Sequence, residues 1–584
     1  MNARLRGWLP ALAIGCCASA TAMLLQNLLR VAWQVRGLPE RVMEWLLLFV
    51  PLDLFEQGLA RFGADAKELA LSAAIVGMAV SLVALGTLAI QSRLREPTLL
   101  GLGAGMWLLT MLVLLPVTGA GPFGTALLIS PLLTSASYLL VFLSYASALI
   151  VGRMTLDLGV SLTRHAKPAP PPVRERRALL VGLAGAALAG GVATLVGRQG
   201  GLVGSSLPLA SAATPTAPEQ PQAAQAAATP RSSTAPARQP AGPKAAGAPA
   251  EVAEAFPNPP LPRRLTRDQD GSISAAGRPK GQLASQITTN DDFYVVTKNA
   301  VADPVVDATT WRLVIDGEVN NPVQLDYRTL RALPAVEVIK TLECISNFTA
   351  ACNLTNFGCD LLSTAQFRGA RLSDVIALAG GLKSSAAGLA ALSSDEFSAG
   401  LPVEVAQDPE TLVVYEMNGE PLPREHGFPA RLLVPGRYGM KNPKWLAGIR
   451  AMNQEYAGWY EQRNWNKDGI VKTMSRIDTP VDGARISPGT QRVAGIAYAG
   501  DRGITQVEVT FDDGDTWQVT RLLEPMPGKD AMVRWEGMFE MPSSGNLTLT
   551  VRATDGTGDV QVDEFELPQP DGASGRDSIT VMAA

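Results

Sequence analysis

Cys344 ends a short apolar run in a chain of 584 residues that carries only five cysteines and two histidines. The run, Thr341-Leu-Glu-Cys-Ile-Ser-Asn347, predicts a β-strand that gives way to a loop. A thiolate at that point is free to contact a bound group. Two histidines are too few for a zinc centre built from histidines. We therefore predict that Cys344 binds a metal that brings most of its other ligands with it. A buried structural cysteine is the common alternative.

The other cysteines form no Cys-x-x-Cys motif of the kind found in structural zinc or redox sites. Cys16 and Cys17 lie in an apolar segment near the N-terminus. Cys352 and Cys359 are seven residues apart, which fits either a small-loop disulfide in an oxidising compartment or two separate thiols. The sequence leaves both alternatives open.

Five segments before residue 198 are apolar and long enough to cross a bilayer as helices, which takes roughly 20 residues. They cover residues 8–29, 68–92, 97–119, 125–151 and 178–197, so we predict an all-α transmembrane region over residues 1–198. A sixth apolar run, from Val42 to Phe55, is shorter and interrupted by charge and proline. We expect it to be interfacial or re-entrant, with a true span as the alternative.

Basic residues precede the first segment and lie between the second and third and between the fourth and fifth. Because basic residues collect on cytoplasmic loops, the N-terminus is predicted inside and everything after residue 198 outside the cytoplasmic membrane. Arg30, Arg36 and Arg41 do not follow this rule, because the predicted topology places them on the external side. Arg176 and Arg177 precede a Gly/Ala-rich segment, which resembles a twin-arginine export signal; ordinary positive-inside anchors are the alternative.

Three regions follow the membrane segments. Residues 199–265 are rich in Ala and Pro with almost no large apolar side chain, so we expect a disordered linker. Residues 266–470 carry strand patterns at 311–317 and 336–342 beside a short helical pattern, which predicts an α+β domain. Residues 471–584 hold β-rich runs separated by Gly/Asp turns, a pattern typical of an all-β, immunoglobulin-like sandwich.

Three segments within residues 265–584 resemble the sulfite oxidase family of molybdopterin enzymes. They are Asn290-Asp-Asp-Phe-Tyr294, the run from Thr341 to Asn347, and the stretch from His426 to Trp445. The third segment is the most specific, because its length, order and chemistry match the family's pterin-binding stretch. The resemblance implies a sulfite-oxidase-like α+β domain that binds molybdopterin, followed by a dimerisation domain through which two copies form a homodimer.

Within this resemblance, Cys344 corresponds to the residue that ligates molybdenum beside the two dithiolene sulfurs of one pterin. The positions that correspond to cofactor contacts are Asn290, Tyr294, Val295, Ser394, His426, Arg431, Asn442, Pro443 and Lys444. Arg431 and Lys444 would hold the phosphate, since a guanidinium binds phosphate through two bonds and an ammonium adds a point charge. Arg437 is expected to join Cys344 as a catalytic residue that supplies charge near the metal; a cofactor or surface role is equally compatible with its position.

Two departures from the family pattern concern the substrate. Sulfite-oxidising members place a basic residue after the Cys-x-x-Asn stretch, whereas Phe348 follows Asn347 here. The arginine of their first motif is replaced by Val295-Val296. A site for a dianion should gather positive charge, so the substrate need not be sulfite.

The sequence therefore predicts a membrane-anchored molybdopterin oxidoreductase that performs two-electron oxygen-atom transfer outside the cytoplasmic membrane, in a direction left open. The alternatives are a methionine-sulfoxide or other S-oxide reductase, and a non-catalytic tethered binding protein that retains the fold. The five apolar segments contain no histidine and no Cys-x-x-Cys-His motif occurs, so we predict no haem and a separate electron carrier, such as a cytochrome or a membrane redox protein. A net charge of −4 without a basic stripe argues against a nucleic-acid partner.

Overall fold

The structure, a computed structural model, describes residues 3–46, 49, 65–125, 127, 130–164, 258–259, 273–299, 303–355, 357–523 and 528–584. We call residues 3–164 the helical bundle, residues 273–471 the mixed part and residues 474–584 the β part. The predicted fifth membrane segment, 178–197, lies outside the described residues. So do Arg176, Arg177 and all of the predicted linker except residues 258–259.

The helical bundle contains α1 (Ala3–Trp33), α2 (Leu38–Leu46), α3 (Asp65–Gln91), α4 (Glu96–Leu109, continued by a π-helical turn, Thr110–Leu114, and by Leu115–Val117) and α5 (Pro131–Arg164). In the described part of the chain, four helices, α1, α3, α4 and α5, are long and apolar enough to cross a membrane. They contain most of the first four predicted segments; residue 92, residues 118–119 and residues 125–130 lie outside these helices. Helix α5 begins at Pro131 because proline fits the first turn of a helix, where its missing N–H is not needed.

Consecutive long helices of the bundle run antiparallel and pack closely through small residues. The Ser19 hydroxyl donates to the Ala79 carbonyl oxygen at 3.3 Å, and a Cβ at Gly15 would lie 2.7 Å from the Val83 carbonyl oxygen. Such close contacts between small residues are typical of helices that pack within a membrane. The residues after α1 and after α4 therefore lie at one end of the bundle, and the loop with Arg93 and Arg95 lies at the other.

The three arginines that oppose the predicted topology are buried in ion pairs. Arg30 pairs with Glu40 at 3.2 Å, Arg36 pairs with Glu44, and Arg41 pairs at 2.7 Å with a residue of the mixed part, Glu396. Charges that are buried are stable only when they are paired in this way. Arg36, which also lies 3.8 Å from Glu396, and Arg41 thus attach the bundle to the mixed part, a role that sequence periodicity could not predict because Glu396 is remote in sequence.

The mixed part is built from two five-stranded β-sheets, a two-stranded sheet formed by its first two strands, and two short helices. Its strands are β1 (Ile273–Ser274), β2 (Val295–Val296), β3 (Arg312–Gly317), β4 (Val323–Asp326), β5 (Ala335–Glu343), β6 (Leu362–Arg371), β7 (Gly388–Ser393), β8 (Ser398–Pro402), β9 (Leu412–Met417), β10 (Glu420–Pro421), β11 (Arg431–Leu433) and β12 (Leu446–Met452). The helices are α6 (Tyr327–Arg331) and α7 (Leu372–Ala377). The strand patterns predicted from the sequence correspond to β3 and β5.

The first sheet has the strand order β10-β9-β6-β5, with β11 also paired to β9, and the second has the order β4-β3-β12-β7-β8. β3 and β12 are parallel. Apolar side chains from both sheets, among them Leu313, Phe367 and Leu433, share one core. The edge of β5 and the segments after β7 and β11 meet at one side of this core, where the cavity described below opens.

The β part contains β13 (Met474–Thr479), β14 (Arg485–Ile486), β15 (Gly489–Tyr498), β16 (Ile504–Thr510), β17 (Gln518–Val519), β18 (Arg521–Leu522), β19 (Val533–Met541), β20 (Asn546–Asp555) and β21 (Ser578–Ala583). They form two sheets, ordered β13-β15-β19-β18 and β14-β21-β20-β16-β17. Val493, Trp535 and Val551 belong to the core that the two sheets share. This is the two-sheet packing expected of a sandwich, while its immunoglobulin-like character stays a prediction.

The β part holds β5 in place through a buried polar contact. The Tyr498 hydroxyl lies within hydrogen-bond distance of two acceptors, the Thr341 carbonyl oxygen at 2.9 Å and the Asp530 carboxylate at 2.7 Å. The Met532 backbone N–H donates to the Thr341 hydroxyl at 2.8 Å. Lys340, the preceding residue of β5, forms a 2.8 Å ion pair with Asp530. The strand that leads to Cys344 is therefore fixed from both parts of the chain.

Candidate functional site

A cavity opens where β5 ends, and it spans about 720 Å³ when its mouth is counted. Its wall is assembled from the segment after β1, the end of β5, the turn after β7 and the stretch from His426 to Trp445. The three segments that carried the family resemblance thus come together in space. Cys352 and Cys359, in the loop after β5, form a disulfide with Cα atoms 5.1 Å apart, which decides between the two alternatives that the sequence left open.

Cys344 directly follows β5, as predicted, and its side chain is buried in the cavity wall. Its backbone N–H donates to the Leu361 carbonyl oxygen at 2.9 Å, and its carbonyl oxygen accepts from the Asn347 N–H at 2.9 Å. The Asn347 side chain closes the turn by donating to Glu343 at 2.9 Å. Burial raises the pKa of the Cys344 thiol to about 11. A cation at this position would reverse that effect, because a coordinated thiol gives up its proton.

Arg431 and Lys444 place two positive charges in the same wall. The Arg431 guanidinium is buried and donates to the carbonyl oxygens of His426 at 3.2 Å and Asn442 at 2.9 Å. Lys444 donates to the Glu425 carbonyl oxygen at 2.8 Å and lies 4.4 Å from the centre of the Trp445 ring. Burial lowers the pKa of Arg431 to about 10 and that of Lys444 to about 8, so both remain largely cationic at neutral pH.

His426 is held neutral and anchors the first motif to the third. Its Nε2 lies 3.0 Å from the Asn290 carbonyl oxygen, so Nε2 carries the proton of the neutral ring. Burial lowers the pKa of His426 to about 3, because a charged imidazole would lose its hydration beside two other cations. The ring also packs edge-on against Phe293, with centroids 5.2 Å apart.

The structure brings most of the predicted site residues to this cavity. Those in its wall are Tyr294, Cys344, His426, Arg431, Asn442, Pro443 and Lys444. Asn290 lies behind the wall, where it contacts His426 through its backbone. At two positions the neighbouring residue lines the cavity instead, Val296 next to Val295 and Asp395 next to Ser394.

Arg437 is not among the residues that line the cavity in the described part of the chain. Its guanidinium donates to the Asp468 carbonyl oxygen, and its backbone forms a β-bridge with Ile470. The structure therefore gives no support to a catalytic role for Arg437, because its side chain is directed to the junction with the β part.

Several wall residues were not predicted from the sequence. They are Phe293, Thr297, Lys298, Leu342, Ile345, Phe397, Gly439, Met440, Trp445 and Tyr460. Lys298 is buried within 4.0 Å of Asp395 and 3.9 Å of Glu44. A buried ammonium requires partners, and those of Lys298 come from segments that are remote in sequence, so no local pattern pointed to it.

The donor set fits a cofactor that carries its own metal ligands and an anionic group. Within the described residues, no three His, Cys, Asp or Glu side chains come together to hold a metal ion. No carboxylate among those residues forms an ion pair with Arg431, and the buried Arg431 Nε has no hydrogen-bond partner there. Buried cations of this kind need an anion to offset the loss of hydration. Cys344 would supply the one protein sulfur, and Arg431 with Lys444 would bind a phosphate.

Comparison with known proteins assigns both globular parts. Residues 300–460 match the family model of the oxidoreductase molybdopterin binding domain, and residues 467–566 match that of the Mo-co oxidoreductase dimerisation domain. These matches confirm the family that the three motifs predicted. The second model describes a dimerisation domain, which supports the expected homodimer at the level of the family.

Curated relatives include the mitochondrial sulfite oxidase of Rattus norvegicus, 30% identical over 360 residues, which cover 54% of this chain and 64% of that protein. The sulfite oxidase of Arabidopsis thaliana is 29% identical and is covered over 84% of its length, against 49% of this chain. The chain spans less than two thirds of the mammalian relatives' length. A solved structure, sulfane dehydrogenase SoxCD from Paracoccus pantotrophus, is 24% identical with a TM-score of 0.45, covering 53% of this chain and 82% of that one.

Gly439 leaves no room for a side chain in the cavity wall, because an added Cβ would lie 2.9 Å from the Tyr294 hydroxyl. We predict that Gly439→Ala displaces Tyr294 and destabilises the protein by about 1–3 kcal/mol, with a loss of bound cofactor. Thermal unfolding and the metal content of the purified protein measure both effects. Gly448→Ala is the matched control, since its Cβ would meet its nearest neighbour at an ordinary 3.5 Å. Equal behaviour of the two variants would contradict this account of the wall.

Proposed function

We propose that this chain, which belongs to the sulfite oxidase family of molybdopterin-dependent oxidoreductases, holds one molybdenum pterin in the cavity and catalyses two-electron oxygen-atom transfer there. The observation that carries the proposal is that one cavity wall holds a buried thiol, Cys344, together with Lys444 and with Arg431, which forms no ion pair with a carboxylate among the described residues. When bound, the cofactor supplies a metal that changes its oxidation state by two electrons and exchanges an oxygen atom.

The residues of the chain hold and orient this group. Cys344 supplies the protein sulfur, on a turn that Asn347 fixes. Arg431 and Lys444 would bind the phosphate of the cofactor. Two backbone carbonyl oxygens pre-position the Arg431 guanidinium for this contact. His426 stays neutral and keeps the Asn290 segment against the cavity. The non-catalytic binding protein is the less favoured alternative, because a binding role does not require a buried thiol beside the cations.

The surroundings of Cys344 favour an uncharged sulfur compound as substrate. Tyr294, Tyr460, Ile345 and Met440 line the cavity with Cys344. The pKa values of Tyr294 and Tyr460 are raised, mainly by burial and secondly by the nearby Cys344. Both side chains therefore remain neutral hydroxyl donors. Phe348 is buried and packs against Phe357, with ring centroids 6.2 Å apart, so it brings no charge. A thioether or an S-oxide fits this environment better than a dianion, which supports the S-oxide reductase as second candidate.

We further propose that the cavity lies outside the cytoplasmic membrane. The mixed part contacts the end of the bundle that follows α1 and α4, as the Arg41 to Glu396 ion pair illustrates. Arg93 and Arg95 lie at the opposite end, which basic residues mark as cytoplasmic. The Cys352–Cys359 disulfide is consistent with an oxidising compartment. A cofactor-loaded domain on that side has to cross the membrane folded, a demand that the twin-arginine pair at 176–177 would meet.

Replacing Cys344 tests the proposed function. We predict that Cys344→Ala abolishes activity and lowers bound molybdenum, because the metal loses its protein ligand. Molybdenum and pterin content are measured on the purified full chain, together with a redox-dye screen of sulfite, thioethers and S-oxides. Cys16→Ala, which removes another free cysteine, is the control and should retain both properties. A Cys344→Ala protein with normal activity and normal molybdenum would overturn the assignment.

Replacing Arg176 and Arg177 by Lys tests the proposed location. Export of a folded domain through a twin-arginine signal requires both guanidinium groups, so we predict that the catalytic domain fails to reach the external side. Protease accessibility of that domain in spheroplasts measures its placement. Arg174→Lys, two residues before the pair, keeps the charge and leaves the pair intact, and should not change the placement of the domain. External placement that persists in the double variant would rule out this export route.

A further inference from the structure

A second cavity lies between the helical bundle and the mixed part, and it spans about 1020 Å³ when its mouth is counted. Val117, Ala120 and Leu127, from the bundle end that follows α4, form an apolar side. Trp45 from the end of α2 and Trp459 from the mixed part add flat aromatic surfaces. The cavity therefore sits at one end of the apolar helices, with walls suited to a planar ligand that enters from a lipid phase.

The charges in this cavity largely compensate one another. Arg36 pairs with Glu44, and Arg41 pairs with Glu396 at 2.7 Å. Arg463 adds a third guanidinium, which stacks 3.6 Å from the centre of the Trp459 ring. These groups carry a surplus of one positive charge. Such a small surplus suits a neutral ligand that gains negative charge during the reaction better than it suits a strongly anionic ligand.

Two polar groups in the wall await a partner. The Ser393 hydroxyl is buried, and the structure gives it no hydrogen-bond partner among the described residues. The Arg463 Nε likewise has no hydrogen-bond partner among the described residues, although its Nη1 donates to the Trp459 carbonyl oxygen at 2.6 Å. Buried groups of this kind are normally paired, so a small rotation of either side chain toward the cavity would let it donate to an acceptor oxygen of a ligand.

One layer of aromatic side chains separates this cavity from the one that holds Cys344. Phe397 lines both cavities, Tyr460 lines the first and Trp459 lines the second. The Phe397 ring centroid lies 5.7 Å from that of Tyr460 and 6.5 Å from that of Trp459. Because electron tunnelling weakens steeply with distance, occupants on the two sides of this layer are well placed to exchange electrons.

We propose that the second cavity binds a quinone, which exchanges electrons with the cofactor site across the Phe397 layer. The proposal rests on the proposed function, since it names the electron partner of the same site. A quinone is flat, apolar and lipid-soluble, and its two carbonyl oxygens accept hydrogen bonds, which matches each wall described above.

The overall reaction balances without another reactant. Substrate and water give the oxygenated substrate, two protons and two electrons; the quinone takes up the two electrons and two protons, and both of its carbonyl oxygens become hydroxyls. Run in reverse, a quinol supplies the same electrons and protons for the reduction of an S-oxide. The chain then needs no haem to deliver electrons to the membrane.

Photolabelling of the full chain in detergent tests the proposal. The probe is an azido-benzoquinone with a short isoprenoid tail, competed by unlabelled short-chain quinone, and labelled peptides are mapped by mass spectrometry. We expect competed labelling in peptides that contain Val117 to Leu127 or Trp459. Val117→Trp should lower it by about tenfold, because a larger side chain fills the cavity. Val113→Trp is the matched control, since it lies one turn earlier on α4, is similarly exposed (45% against 49%) and does not line the cavity.

Ser393→Ala provides a second variant that does not threaten folding, because the hydroxyl has no partner to lose among the described residues. It should lower competed labelling by about fivefold, the effect of one hydrogen bond. Labelling that spreads over the exposed helix faces without competition, or that neither Val117→Trp nor Ser393→Ala reduces, would overturn the proposal. Labelling needs no turnover, so molybdenum content measured on the same preparations reports separately on the proposed function.

Discussion

The buried positive charge in the cavity wall that also holds Cys344 is the constraint on which the site depends. Arg431 is almost fully buried against backbone carbonyl oxygens, and no carboxylate in the described chain neutralises it. An isolated buried cation costs several kcal/mol, whereas an anion bound between Arg431 and Lys444 would turn that cost into affinity. The pKa of His426 lies well below its usual value, so the ring stays neutral and adds no third positive charge. The arrangement is therefore poised for an anionic cofactor and is poorly explained by structural stability alone.

The other parts of the chain hold this site from two sides. The β part fixes β5 through Tyr498 and Asp530, so the position of the thiol is set by two cores. The helical bundle approaches from the other side, where the turn between β7 and β8 contributes Asp395 to the cofactor cavity and Glu396 to an ion pair with Arg41. Lys298 lies between the two, within 4.0 Å of Asp395 and 3.9 Å of Glu44.

Local pattern predicted the parts of the site that lie close together in sequence. The apolar run before Cys344 predicted its strand, because a strand pattern depends on a few adjacent residues. Both cations were predicted from the resemblance of the stretch from His426 to Trp445 to the family's pterin-binding stretch. Val296 lines the cavity next to the predicted Val295 because neighbouring side chains of a strand point to opposite faces. Phe397 and Tyr460 were missed because only the fold brings them to the cavity. The pairing of Arg36 and Arg41 across more than three hundred residues likewise had no local signal.

Ligation of molybdenum by Cys344 is tested most directly by X-ray absorption at the molybdenum K-edge on the purified full chain. The predicted spectrum contains one sulfur neighbour beyond the two that the pterin dithiolene provides, and that neighbour is absent from whatever metal Cys344→Ala retains. A wild-type spectrum with only the two dithiolene sulfurs, or a third sulfur that survives the substitution, would contradict the assignment of Cys344 as the metal ligand.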